Sequence, residues 1–190
     1  MKNILFNFSR AEFRNWLINN SKIEKECWLN LKRVKPSSNS FVYLDAVEEA
    51  LCFGWIDSIQ KNVDGKTYQR FSPRSKKSPW SELNKERARR LIKLGLMSKE
   101  GEKVLPSLGP RSFKIDKDIE DALKKNRCYK IFKSFHPLYQ RIRAYNVSFA
   151  KSLGREAYES ALKHLIEETK KGRMYGEWND YGRLLDIKVV

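Results

Sequence analysis

The chain has 190 residues, with 39 lysines and arginines against 23 aspartates and glutamates, a net charge of +16 at pH 7. This length allows one sizeable core or two small ones, and five tryptophans within 12% aromatic residues argue against a disordered chain. Such a charge predicts anionic partners or a solubilising surface, and no apolar run approaches the ~20 residues of a membrane span.

Met1 to Phe8 is too short and too irregular for a secretory h-region, so the expected location is the cytoplasm. Ser9-Arg10-Ala11-Glu12 is a capping box that starts a first helix, carried to about Asn20 by Phe13, Trp16 and Leu17 at helical spacing. Cys27 to Lys32 suits a strand, and Lys35 to Ser40 a loop. Leu44, Val47, Ala50 and Leu51 form the apolar stripe of a second helix that Gly54 can end.

Asp64-Gly65 predicts a hairpin with strands over about Trp55 to Val63 and Lys66 to Ser72, because both central residues of a type I′ turn need positive φ. Ser78-Pro79 marks the start of another helix, with Leu83, Ala88, Leu91 and Ile92 on its buried side and Gly95 at its end. Ser98 opens a short helix, and Asp118 with Asp121 opens one whose far end carries Lys124 and Lys125. Beyond Arg127 the pattern is helical: Pro137 starts one helix, a second ends at Gly172, and Met174 to Tyr181 is an aromatic loop. The fold class is thus α+β, mostly helical, with a small antiparallel sheet built on the hairpin near residues 55–72. Residues 1–108 read as the α+β region and 109–190 as a helical C-terminal region packed on it in one compact domain.

The basic excess is concentrated. Gln60 to Lys93 holds 11 basic and 3 acidic residues, and Arg127 to Lys151 holds 6 basic and none acidic. The cysteines, Cys27, Cys52 and Cys128, are odd in number and sit in apolar surroundings, which reads as reduced core thiols. His136 and His164 lack companions at metal-ligand spacing, and no glycine pattern suits a phosphate loop, so no metal site and no cofactor are expected. Adjacent acids such as Glu48-Glu49 read as solvated surface.

A two-residue turn at Asp64-Gly65 pairs Asp57 with Ser72 and Ile59 with Arg70, which places Trp55, Asp57, Tyr68 and Arg70 on one face. Arg74 and Lys77 follow in the loop, and Trp80, Asn84 and Arg87 share one face of the next helix. Cations and an amide interleaved with indoles can hold a planar anion or a stacked nucleotide, so these eight residues form the candidate ligand site: Trp55, Asp57, Arg70, Arg74, Lys77, Trp80, Asn84 and Arg87.

The same stretch resembles the YdeI/OmpD-associated family of bacteriocin-protection proteins. The likeness lies in Glu49-Ala50-Leu51-Cys52-Phe53-Gly54-Trp55-Ile56-Asp57-Ser58, Gln69-Arg70-Phe71-Ser72-Pro73-Arg74, Lys77-Ser78-Pro79-Trp80-Ser81 and Leu91-Ile92-Lys93-Leu94-Gly95-Leu96-Met97. It covers the chain from Phe13 to near Leu105; the C-terminal half departs from that family's usual ending. The resemblance implies a role in protection from bacteriocin or cationic-peptide stress and supplies no reaction or catalytic residue. Three readings stay open: binding of an anionic small molecule or nucleic acid, an enzyme of unassigned type with Asp57 as acid or base beside Arg70, and a structural or partner-docking domain.

Overall fold

The computed structural model describes residues 1–37, 40–75, 78–109 and 111–185. They form two compact units, one of Met1–Pro79 with Arg87–Pro106, the other of Trp80–Glu86 with residues from Ser107 onward. No helix among the described residues is long and apolar enough to cross a membrane.

The first unit is built on β1 (Ile4–Leu5), α1 (Arg10–Asn20), β2 (Cys27–Asn30), α2 (Tyr43–Cys52), β3 (Trp55–Val63) and β4 (Lys66–Pro73). Helix α3 (Glu82–Lys93) contributes its residues from Arg87 onward, followed by α4 (Lys99–Glu102). The Ser9 capping box is present, with the Ser9 hydroxyl accepting from the Glu12 amide and the Glu12 carboxylate accepting from the Ser9 amide. The strands lie in the order β1-β2-β4-β3. The expectation of an antiparallel sheet holds for β2-β4 and β3-β4, whereas β1 runs parallel to β2. A two-residue strand with only Ile4 and Leu5 paired is too short to show the period-2 pattern on which strand reading depends.

Asp64 and Gly65 both take positive φ, +50° and +73°, so the turn is of the expected type. Pairing runs as expected from Val63↔Lys66 to Gln60↔Gln69 and then slips at a bulge, so that Asp57 faces Phe71 and Ile56 faces Ser72. An inserted residue flips every side chain beyond it to the other face. Trp55 and Asp57 therefore share a face with Phe71, Gln69 and Gln60, while Arg70, Tyr68 and Lys61 share the opposite face with Trp28.

Helix α1 covers the first of these faces: Phe13 packs on Phe71 at 5.8 Å between ring centroids, and Trp16 meets the edge of Trp55 at 5.7 Å. The core there comprises Phe13, Leu17, Ala50, Leu51, Trp55 and Phe71, all 1% exposed or less. Helix α2 is buried nearly all round, including Asp45, Glu48 and Glu49. Reading Glu48-Glu49 as solvated surface is thereby corrected. Arg10 reaches Asp45, Glu48 and Glu49, Arg14 reaches Glu49, and Arg90 reaches Glu48, so arginines from α1 and α3 neutralise the acids of α2.

The second unit packs α5 (Lys117–Lys125), α6 (Tyr129–Ser134), α7 (Pro137–Ala150) and α8 (Arg155–Lys170) around Ile119, Leu123, Phe132, Tyr139 and Leu165. Trp178, from the aromatic loop after α8, closes this core against Tyr139. Helix α3 begins at Glu82, with the Ser81 hydroxyl capping the Asn84 amide, rather than at Ser78-Pro79. The Pro79 carbonyl instead accepts from the Arg74 guanidinium, which holds that segment outside the helix.

Candidate functional site

Within the first unit, the described residues grouped by sequence do not form one surface. Trp55 is 1% exposed and its indole donates to the Ser21 carbonyl at 3.1 Å, so it is a core residue of the first unit. Asp57 and Arg70 stand on opposite faces of the sheet, which rules out a site using both. Arg70 donates from Nε to Glu26 at 2.7 Å. Arg74 is buried, with its guanidinium donating to Pro79. Lys77 lies outside the described residues. Trp80 and Asn84 belong to the second unit and Arg87 to the first.

The Glu26–Arg70 pair has the marks of a structural element. The Trp28 indole donates to the second carboxylate oxygen of Glu26 at 2.9 Å, the Lys2 amide donates at 3.1 Å, and Lys61 lies 5.5 Å over the Trp28 ring. The Trp28 and Arg70 hydrogen bonds hold the Glu26 carboxyl down at about 2. Trp28 itself is 2% exposed, leaving no ring face for stacking.

What the helix-covered face assembles is a different cluster, around Tyr43 at the first turn of α2. The backbone brings Tyr43 to the loop after β2, where its amide donates to the Lys32 carbonyl at 3.0 Å. Its phenol donates to Asp57 Oδ2 at 2.6 Å, a short charge-assisted bond. Burial, and then the Asp57 charge, push that phenol up to about 12, against the lowering influence of Arg33 and Arg87. Tyr43 is therefore a fixed donor and no base near neutral pH.

Arg33 lies over the Tyr43 ring, its guanidinium carbon 3.6 Å from the centroid. Its Nη2 donates to Gln69 Oε1 at 2.8 Å, and with the Gln60 amide turned to present oxygen, Nη2 and Nε also donate there at 3.2 and 3.1 Å. Gln60 and Gln69 face each other across the hairpin on this same side of the sheet. Arg33 is exposed, and among the described residues no carboxylate reaches it. Its guanidinium is thus held by an aromatic ring and two amides that engage Nη2 and Nε, and among the described residues Nη1 makes no hydrogen bond. Arg87, half-buried on α3, adds a second positive charge within electrostatic range of Tyr43.

Sequence reasoning found Asp57 and Arg87 but not Arg33, Tyr43, Gln60 or Gln69. The sole local hint was the Lys32-Arg33 pair before a proline loop; the partnership of Tyr43 with Asp57, 14 residues on, is tertiary. Burial pushes the Cys27 and Cys52 thiols up, Cys52 to about 11, as inert core cysteines should behave. Among the described residues no group of three or more His, Cys, Asp or Glu is placed to hold a metal ion. Residues 5–104, just over half the chain, match the model of a family described as a domain of unknown function (DUF8412). No curated protein and no solved structure matches.

Proposed function

The chain belongs to the DUF8412 family, and since that description names no activity, we propose from the side-chain geometry that the protein binds a compact anion at the Arg33–Tyr43–Asp57 cluster. The ligand class is a phosphorylated or multiply carboxylated small molecule. The observation that supports this is Arg33. A guanidinium whose orientation is fixed before binding loses little side-chain entropy on gripping an oxyanion, and its planar fork matches phosphate and carboxylate geometry. Asp57 locks the Tyr43 ring beneath it.

A compact anion suits the site better than a nucleic acid, because several of the clustered cations are already paired with carboxylates of the chain. Arg90 is held by Glu48, Arg141 by Glu82 and Glu86, and Lys151 by Asp116 and Asp118. Polyanion affinity grows with the number of phosphates that free cations neutralise. The likeness to bacteriocin-protection proteins supplies the setting for this ligand, a cytoplasmic response to cationic-peptide stress. A chain of net charge +16 repels such peptides, so protection would act through the bound anion.

The test is calorimetric titration with pyrophosphate, citrate and a single-stranded oligonucleotide at two salt concentrations, on the wild type and Arg33→Gln. Expected is binding of pyrophosphate or citrate with a shallow salt dependence, weakened about ten-fold or more by Arg33→Gln. Equal affinity in Arg33→Gln, or binding of the oligonucleotide alone with a steep salt dependence, would overturn the assignment.

A further inference from the structure

A second binding feature of the first unit lies where β1 ends, a cleft of about 350 Å³ between the segment after β1 and the loop after β2. Its walls are mixed: Phe6, Phe8, Leu31 and Phe41 supply apolar surface beside the polar Asn7, Asn30 and Ser40, and Phe6 is 64% exposed. An exposed phenylalanine beside an open hollow is apolar surface that a ligand can cover. The volume falls near the lower end of the roughly 300–1,000 Å³ usual for small-molecule clefts.

The charge on the lining has one sign. Lys32 and Lys66 both border the cleft, no aspartate or glutamate does among the described residues, and no described carboxylate forms an ion pair with either lysine. Tyr68 also lines it, and among the described residues its hydroxyl makes no hydrogen bond. Two ammonium groups and a phenol at the rim of an aromatic and aliphatic hollow complement a molecule with one anionic head and an apolar body. We infer that the cleft bordered by Phe6, Phe41, Lys32 and Lys66 binds a small amphipathic monocarboxylate, a medium-chain fatty acid or an arylalkyl acid, with its carboxylate between the two lysines and its apolar body against the rings.

This site is separate from the Arg33 cluster: Arg33, Tyr43 and Asp57 do not line it. Octanoate is the probe, titrated below its micelle concentration and followed by NMR shifts of the Phe6 and Tyr68 rings, with acetate and 1-octanol as comparators. Expected is saturable octanoate binding with Kd on the order of 1 mM or tighter, weakened at least about ten-fold by the double variant Lys32→Gln/Lys66→Gln and unaltered by Arg33→Gln. Acetate lacks the apolar body and 1-octanol the charge, so both should bind more weakly. Phe6→Ala, which removes a largely exposed ring, should weaken octanoate without altering the thermal melt. Octanoate binding that the lysine double variant leaves unchanged, or no shift at either ring, overturns the inference. A dimer dissolved by Phe6→Ser in a chain that ignores octanoate would assign the cleft to a second copy and overturn it equally.

Discussion

Glu48 on α2 is 1% exposed and is held by Arg90 at 2.8 Å and by Arg10 at 3.0 Å. Replacing it with glutamine keeps the shape and one acceptor but removes the charge that faces the Arg10 and Arg90 guanidiniums. Breaking a fully buried pair costs about 3–5 kcal/mol. Arg90 is 17% exposed and loses its carboxylate partner, whereas Arg10 is 35% exposed and retains Asp45 and Glu49. Solvent and the surviving acids thus lower the expected cost of Glu48→Gln to about 2–3 kcal/mol. For a chain of this size that corresponds to a melting temperature lower by roughly 5–10 °C. The assay is thermal and urea unfolding followed by far-ultraviolet circular dichroism, with Glu159→Gln as comparator. Glu159 pairs with Arg155 on the open surface of α8, where the two side chains are 57% and 89% exposed, so its removal should leave the midpoint where it was. If Glu48→Gln melts with the wild type, the arginine–carboxylate network around α2 is not what holds that helix against its neighbours.

Three other outcomes follow from named groups. The Glu26 carboxyl sits at about 2 against an ordinary 4.5, so the folded form binds its proton more weakly than the unfolded one. Its contribution is fully present above about pH 4.5 and is lost as pH falls toward 2; solvent screening reduces it to about 1 kcal/mol, and Glu26→Gln should flatten the acid limb of a stability–pH curve in that window. Tyr43, pushed up to about 12, stabilises the fold below pH 10 and loses that contribution as pH rises through 12. Tyr43→Phe should remove one late-titrating phenol from the ultraviolet titration and cost about 1–2 kcal/mol through the lost bond to Asp57. Gly101→Ala would drive a Cβ into the Cys52 carbonyl, which the Ser98 hydroxyl and amide pin at 2.6 and 3.0 Å. The main chain cannot yield cheaply there, so a loss of about 3 kcal/mol or more in urea unfolding is expected, and wild-type stability would show that α4 can slide away from α2.

How legible each element was depended on how local its cause was. The Ser9 capping box, the Asp64-Gly65 turn and the proline at the head of α7 act within a few residues, and each stands where sequence reading put it. Strand β1 and the start of α3 misled for the opposite reason. Two residues of β1 gain their identity from pairing with Trp28 and Leu29, and the Ser78-Pro79 signal is overridden by Arg74 holding the Pro79 carbonyl. Glu48 and Glu49 looked like surface because acids usually are; what buries them is arginine supplied from α1, nearly 40 residues earlier, and from α3.

For the candidate site the division is sharper. Composition and local pattern determined a basic, aromatic-rich α+β chain whose hairpin carries Asp57 near its root and glutamines beyond. Only the tertiary structure decided which groups meet. One bulge between Asp57 and Gln60 turns Asp57 toward Tyr43 and leaves Arg70 to Glu26 on the other side of the sheet. Strand alternation has a period of two, so a single inserted residue reverses the face of everything beyond it, and whether it is inserted depends on packing against helices that are distant in the chain.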